Sequence, residues 1–162
     1  MARRVFFSFH YDRDIWRANV VRKCWVTQDR TTAGFWDASL WEEAKKKGDD
    51  AIKKLIDNGL IGTSVTVVLI GEETYSRKWV KYEILESYKR KNGLLGIYIY
   101  QIEDQNKKTD KAGPNPFKSI YVEQDGKKIY FSEFYPTYYW FADDGYKNIG
   151  SWIEKAAKAA GK

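Results

Sequence analysis

The segment Thr63–Ile70 constrains the fold more than any other part of the chain. It reads Thr-Ser-Val-Thr-Val-Val-Leu-Ile and lies between Gly62 and Gly71. A nearly continuous apolar, β-branched run bounded by glycines is typical of a central parallel strand that is covered on both faces. Because parallel strands need long crossover connections, usually helices, the segment predicts an α/β fold with a central parallel sheet flanked by helices.

The rest of the chain supplies further elements for such a sheet. We expect strands over 3–9, 35–39 (a second, edge strand), 94–100 and 128–131, and helices over 14–25, from about 77 to Asn92-Gly93, and after Asp143-Asp144-Gly145. The pattern also predicts an amphipathic helix over 49–58, with Gly59 as its stop. Leu40–Lys47 fits either a helical turn or an exposed loop, and the polar stretch 101–116 predicts a long functional or mobile loop.

Length and composition exclude several classes of protein. A chain of 162 residues fits a single domain over 1–162. Its net charge of +6 comes from scattered lysines without a concentrated basic stripe, so nucleic-acid binding is disfavoured. One cysteine and one histidine allow neither an internal disulfide nor a His/Cys metal cluster, so we expect no metal and a cytoplasmic protein. Neither a signal peptide nor an apolar run near the roughly 20 residues of a membrane span is visible, so we expect no membrane association.

A crevice is expected where the first and third strands of a flavodoxin-like sheet lie side by side. Its walls would be Ser8–Arg13, including His10 and Tyr11, and Gly71–Glu83, with Asp37–Trp41 closing over it. The first turn lacks the glycines that a dinucleotide-binding or P-loop enzyme requires, so redox and phosphoryl-transfer chemistry are disfavoured. Arg13 either pairs with Asp12 or Asp14 or meets a phosphate of the ligand.

Trp79 and Glu83 are four residues apart and therefore share one face of the predicted helix. On a helical wheel Glu83 borders the apolar stripe without belonging to it. A carboxylate beside an aromatic wall suits cleavage of an N-glycosidic bond, in which positive charge builds on the ribose. If the leaving group is nicotinamide, which is bound to the ribose as a cation, it departs as a neutral molecule and needs no acid to protonate it. One carboxylate is then enough. The alternatives are a merely solvated Glu83 and a Trp79 that only packs.

Several motifs together resemble one protein family, the TIR-like proteins of the bacterial Thoeris antiphage system. They are Val5–Tyr11, Asp37–Trp41, Ser64–Gly71, Arg77–Ile84, Gly113–Phe117 and Trp140–Tyr146. The resemblance implies a flavodoxin-like TIR fold and an enzyme that consumes NAD as substrate, with no other cofactor. It also implies release of nicotinamide and a cyclic ADP-ribose isomer, which activates a separate NAD-degrading effector after infection.

By position, the resemblance makes Glu83 the catalytic residue. It places Phe7, Ser8, His10 and the segment from Asp37 to Ser39 in the nucleotide pocket. The resemblance does not decide the balance between cyclase and hydrolase activity. It also leaves open whether a phage-derived trigger is needed and whether the protein forms a homo-oligomer. The main alternative is a catalytically silent TIR adaptor that recognises a protein or a nucleotide.

Overall fold

Strands and helices alternate along most of the chain in the computed structural model, which describes residues 3–26, 31–34 and 38–162. The strands are β1 (Arg4–Ser8), β2 (Thr31–Ala33), β3 (Val65–Ile70), β4 (Gly93–Tyr98), β5 (Tyr121–Gln124), β6 (Lys127–Tyr130) and β7 (Thr137–Tyr139). The helices are α1 (Tyr11–Val26), α2 (Ala38–Lys47), α3 (Asp49–Leu60), α4 (Lys78–Lys89) and α5 (Gly145–Ala159).

Five of these strands form one parallel sheet in the order β2-β1-β3-β4-β7. This arrangement confirms the predicted α/β class and the flavodoxin-like sheet. β3 lies at its centre and all six of its residues are buried, as the apolar run predicted. β1 and β3 are neighbours, with Val5 opposite Val65 and Ser8 opposite Val68. The carboxyl ends of these two strands therefore meet at the point where the strand order reverses, and ligands bind at such points in open α/β sheets.

Helices cover both faces of the sheet, and the alternation of side chains along β1 shows which residues face which layer. Val5, Phe7 and Phe9 pack with α1 and α5 in one core. Phe6 packs on the opposite face, with residues of α2 and α3. A third core on that second face joins α4 to the segment 117–131. Since successive side chains of a strand point to opposite faces, Ser8 shares the face of Phe6.

The predicted edge strand does not coincide with the observed one, and the predicted last strand is a strand outside the main sheet. The edge strand is Thr31–Ala33, whereas Ser39 lies in α2 and the residues numbered 35–37 lie outside the described part of the chain. For Leu40–Lys47 the sequence allowed either a helical turn or an exposed loop. The segment is helical and lies in α2.

The predicted strand at 128–131 lies in β6, outside the main sheet. It pairs with β5 in an antiparallel hairpin, because Asp125 and Gly126, both with positive φ, form a two-residue turn. The fifth strand of the main sheet is the three-residue β7, which was not predicted from the sequence.

Helix ends also differ from the prediction. α1 begins at Tyr11 rather than at Asp14, which lies in its first turn. α3 continues through Gly59 to Leu60, and the left-handed residue that follows is Gly62 with φ 77°. α4 begins at Lys78 without a side-chain cap. Thr74, shortly before this helix, accepts a hydrogen bond from the Gly71 amide.

No helix within the described ranges is long and apolar enough to cross a membrane. The same ranges contain no group of three or more His, Cys, Asp or Glu residues that could hold a metal ion.

Candidate active site at the carboxyl ends of β1 and β3

Glu83 and Ser8 form the centre of the candidate site. Glu83 lies in the middle of α4 and Ser8 is the last residue of β1. The Ser8 hydroxyl donates a hydrogen bond of 2.8 Å to the Glu83 carboxylate. Glu83 is only 4% exposed and Ser8 is fully buried. The prediction that Glu83 borders the core without belonging to it is therefore wrong, and the Ser8 hydroxyl supplies the polar partner that a buried carboxyl group requires.

Burial changes the acidity of this carboxyl group. Desolvation raises the pKa of Glu83 to about 8, against a smaller opposing effect of the hydrogen bond from Ser8. In the resting protein Glu83 is therefore mostly protonated at neutral pH. A carboxyl group held in this way becomes anionic when a positive charge comes close to it.

His10 and Tyr11 lie at the junction of β1 and α1. His10 Nδ1 accepts a hydrogen bond of 3.4 Å from the Arg13 amide. Partial burial, together with the nearby Arg77 cation, lowers the pKa of His10, so its imidazole is neutral at pH 7. The ring of Tyr11 contacts Trp41 with 5.3 Å between ring centroids, which joins the start of α1 to α2 by an aromatic contact.

Arg13 is engaged by carboxylates from elsewhere in the chain rather than by the predicted Asp12 or Asp14. Its guanidinium contacts Glu72 at 2.7 Å, Asp110 at 3.0 Å and Glu73 at 3.1 Å. Three nearby carboxylates already balance its charge. Recognition of a phosphate by Arg13 would require at least one of these ion pairs to open.

Phe7 is placed differently from the other predicted pocket residues. It is 1% exposed and packs in the core beneath α1 and α5. Ser8 and Glu83 meet on the other face of the sheet, so the Phe7 side chain does not line the space around Glu83. The backbone of Phe7 is closely packed against the end of β2, since a Cβ on Gly34 would lie 2.2 Å from the Phe7 carbonyl oxygen.

Trp79 lies on the surface of α4 that faces α2 and α3. It is partly buried against the core formed by those two helices. Its ring meets Tyr82 edge to face at 5.8 Å, and the Lys78 ammonium lies 4.7 Å from its centroid. These contacts favour the packing interpretation of Trp79. Of the remaining predicted residues, Ser39 belongs to α2, with its side chain outside the described structure, and Asp37 lies outside the described residues.

Arg17 was not singled out from the sequence, and Asp14 was considered as a partner of Arg13. Arg17 is 4% exposed and donates hydrogen bonds to the Ile102 carbonyl, the Lys108 carbonyl and the Asp110 carboxylate. It thereby holds the polar segment 101–110 against α1. The i, i+3 spacing of Asp14 and Arg17 was visible in the sequence, but their burial was not, since exposed pairs of this kind are common on helices.

Asp14 is completely buried, and neither of its carboxylate oxygens has a hydrogen-bond partner within the described structure. Arg17 lies 3.9 Å away as an ion-pair partner. Burial raises the pKa of Asp14 to about 6, and Arg17 opposes this effect. A Cβ on Gly71 would lie 2.3 Å from the Asp14 carboxylate, so only glycine lets β3 end this close to α1.

A parallel sheet in this order defines a flavodoxin-like α/β domain, and a helix-borne glutamate lies beside its switch point. The family model described as "Thoeris protein ThsB, TIR-like domain" matches residues 6–104. The chain belongs to this family.

A relative from Bacillus cereus (strain MSX-D12) is 40% identical over 191 aligned residues, which cover 94% of this chain and 100% of the relative. It carries the name "Putative cyclic ADP-D-ribose synthase ThsB1". The alignment is longer than the 162 residues of this chain, so the relative contains insertions.

Proposed function

We propose that this protein consumes NAD: it cleaves the bond between nicotinamide and ribose and makes a cyclic ADP-ribose-type signal. The observation that carries the proposal is the buried Glu83, which accepts the Ser8 hydrogen bond beside the switch point of the sheet. Membership of the ThsB family and the name of the B. cereus relative support the substrate.

The chemistry follows from the environment of Glu83. The nicotinamide-bearing ribose of NAD brings a positive charge, which favours the anionic form of the carboxyl group and lowers its pKa from about 8. The carboxylate then stabilises the charge that develops on the ribose as the glycosidic bond breaks. Nicotinamide departs with the bonding electrons as a neutral molecule, so no acid is needed to protonate it. Ser8 keeps the Glu83 carboxyl group in position throughout.

Ring closure requires a nucleophile from the adenosine half of the same molecule to reach the anomeric carbon before water does. An internal group that is held in place acts at a very high effective molarity. The 4% exposure of Glu83 indicates a site from which water is largely excluded, and this favours cyclisation over hydrolysis.

The remaining parts of the proposal concern residues and partners. His10, Tyr11 and Ser8 contact the nucleotide at the end of β1, Asp37 and Ser39 close over it, and Trp79 supports the wall by packing. Arg13 meets a phosphate after leaving its carboxylate partners, and Phe7 contributes through its backbone.

Residues 1–162 act as one cytoplasmic domain whose diffusible product activates a separate NAD-degrading effector. A phage-derived trigger and a second copy of the chain are the further partners.

The test measures, by chromatography, how fast the Glu83→Gln variant releases nicotinamide from NAD. Glu86→Gln is the matched control, because Glu86 lies on the same helix and pairs with the exposed Lys89. Both variants should keep the wild-type circular dichroism. Protein from infected and uninfected cells is compared, so that a requirement for a trigger is seen. Glu83→Gln should lose activity by a factor of about 10² or more, as when a group that stabilises transition-state charge is removed, whereas Glu86→Gln should not. A folded Glu83→Gln protein with wild-type activity would contradict the proposal.

A second candidate function is a silent adaptor that binds a nucleotide without cleaving it. The burial of Glu83 favours it, because a reacting ribose must reach a carboxyl group that is 4% exposed. Incubation of protein from infected cells with NAD separates the two candidates. The adaptor would bind NAD in equilibrium dialysis and return it intact.

A further inference from the structure

A large cavity lies at the opposite end of the sheet from Glu83. It has a volume of about 840 Å³, within the range of sites that bind drug-sized molecules. We call it the basal groove; its lining is Tyr88, Lys91, Asn92, Gly93, Leu94, Gln124, the segment 132–136, Tyr138, Trp152, Lys155, Ala156, Ala159 and Ala160. Gly93 pairs with Val65 at the start of β3, whereas Ser8 pairs with Val68. The groove is thus displaced from the candidate active site by three residues, roughly 10 Å along the strands.

The short β7 explains why the groove exists. β7 pairs with Gly96–Tyr98 and leaves the first half of β4, Gly93–Leu95, without a described strand on that side. The end of α5 and its C-cap present small residues to the resulting gap, namely Ala156, Ala159 and the C-cap Ala160. The space that a longer strand and larger side chains would fill therefore stays open.

Aromatic rings form much of the wall. Tyr138 and Trp152 stack on each other with 4.2 Å between centroids and 7° between planes. Phe134 lines the groove from the other side and is 45% exposed. Such walls suit a flat ring system, because aromatic rings gain from stacked and edge-to-face contacts beyond the area they bury.

The charged groups of the lining differ in whether they already have a partner. Lys91 and Lys155 are exposed, and neither forms an ion pair within the described ranges. Glu133 is the acidic residue of the lining, and its carboxylate already accepts a hydrogen bond of 3.0 Å from the Tyr130 amide. The groove therefore offers two available ammonium groups beside an aromatic wall.

We propose that the basal groove binds an aromatic organic anion: a flat ring system that lies against Phe134, Tyr138 and the alanines of α5, with one acidic head group held by Lys91 and Lys155. The site is independent of Glu83 and of NAD. Shape and apolar contact supply the affinity, and the two lysines select the charge of the ligand.

The test uses 8-anilinonaphthalene-1-sulfonate as the probe. The full chain is titrated with the probe, and binding is measured by the fluorescence of the probe. Lys155→Glu replaces attraction by repulsion, and Ala159→Phe fills the groove from its exposed rim. Each has a matched control on α5 outside the groove: Lys158→Glu for the charge and Ser151→Phe for the added ring, both at exposed positions. Near-ultraviolet circular dichroism confirms that each variant keeps native packing, because partly unfolded proteins also bind this probe.

Binding should weaken about tenfold in Lys155→Glu and in Ala159→Phe, and less than about twofold in the two controls. N-phenyl-1-naphthylamine, which lacks the sulfonate, should bind Lys155→Glu and wild type equally. A crystal soaked with the probe should hold it between α5 and the segment 132–136. Equal weakening by Lys155→Glu and Lys158→Glu, undiminished binding to Ala159→Phe, or the absence of any binding to the wild-type protein would overturn the proposal.

Discussion

The Ser8 hydroxyl lies 2.8 Å from the Glu83 carboxylate, across an interface between β1 and α4 in which both side chains are buried. The two residues are 75 positions apart in the sequence. Their contact joins the end of a central strand to the middle of a helix at the switch point of the sheet. The hydrogen bond also partly opposes the effect of burial on the pKa of Glu83, the residue on which the proposed chemistry depends.

Ser8→Ala should shift the pH dependence of NAD cleavage to higher pH. The hydrogen bond from Ser8 stabilises the anionic form of Glu83, so its loss raises the Glu83 pKa above about 8. A bond to a charged group contributes about 1.5–3 kcal/mol, so kcat/KM at pH 7 should fall about tenfold or more and recover partly at pH 9. Ser8→Thr keeps a hydroxyl and should restore the profile. The measurement is kcat/KM between pH 5 and 9.

The control for this prediction is Ser87→Ala. Ser87 is a buried serine of α4 whose hydroxyl bonds the Glu83 main-chain carbonyl and Thr66 rather than the Glu83 carboxylate. A purely structural effect would lower activity in Ser8→Ala at all pH values alike, and would contradict the proposed positioning role.

Glu83→Gln should stabilise the protein, and increasingly so as the pH rises. Between an unfolded pKa near 4.5 and a folded pKa of about 8, the native state keeps a proton that the unfolded state has released. The free energy of unfolding of the wild type therefore decreases with pH in this window, by up to about 1.4 kcal/mol per unit from this group. Glutamine removes the dependence. Urea unfolding at pH 5, 6.5 and 8 measures it; a difference between variant and wild type that is constant across pH would show that Glu83 is not buried in its neutral form.

Two arginines of α1 should differ sharply in their contribution to stability. Arg17 is 4% exposed and holds two carbonyls and Asp110, so Arg17→Ala leaves buried polar groups unpaired and should cost about 3–5 kcal/mol. Arg13 has a side chain that is 32% exposed, and Arg13→Ala should cost about 1 kcal/mol or less. Hydrogen exchange should show loss of protection over 101–110 in Arg17→Ala. Similar losses of stability in the two variants would contradict the assignment of Arg17 as the anchor of this segment.

Gly71→Ala should destabilise the protein through Asp14. The added methyl group would lie 2.3 Å from a carboxylate oxygen that is itself fully buried, and overpacking of this kind costs about 1–3 kcal/mol. Asp14→Ala makes room for it. In a double-mutant cycle followed by urea unfolding, the combined variant should be more stable than the sum of the single changes predicts. Additive effects would mean that Gly71 is required for another reason.

Much of the architecture was predictable because it depends on local patterns. The apolar run of β3 indicated a central parallel strand, and the helical spacing of Ile149, Trp152 and Ile153 indicated α5. The hairpin of β5 and β6 was not foreseen, although Asp125-Gly126 is a recognisable turn sequence. β7 was missed because three residues are too few to show a period.

The candidate site, like the fold, was predictable from the sequence only in part. The sequence by itself determined that Glu83 and Trp79 lie on one helix after the central strand, and that Ser8 lies near the end of the first strand with His10 just after it. Only the tertiary structure decided that Phe7 and Ser8 face opposite layers with Glu83 on the side of Ser8, that Arg13 is occupied by three carboxylates, and that Glu83 is buried. The physical reason is that periodicity fixes which residues share a face, whereas burial and pairing depend on which distant segment packs against that face.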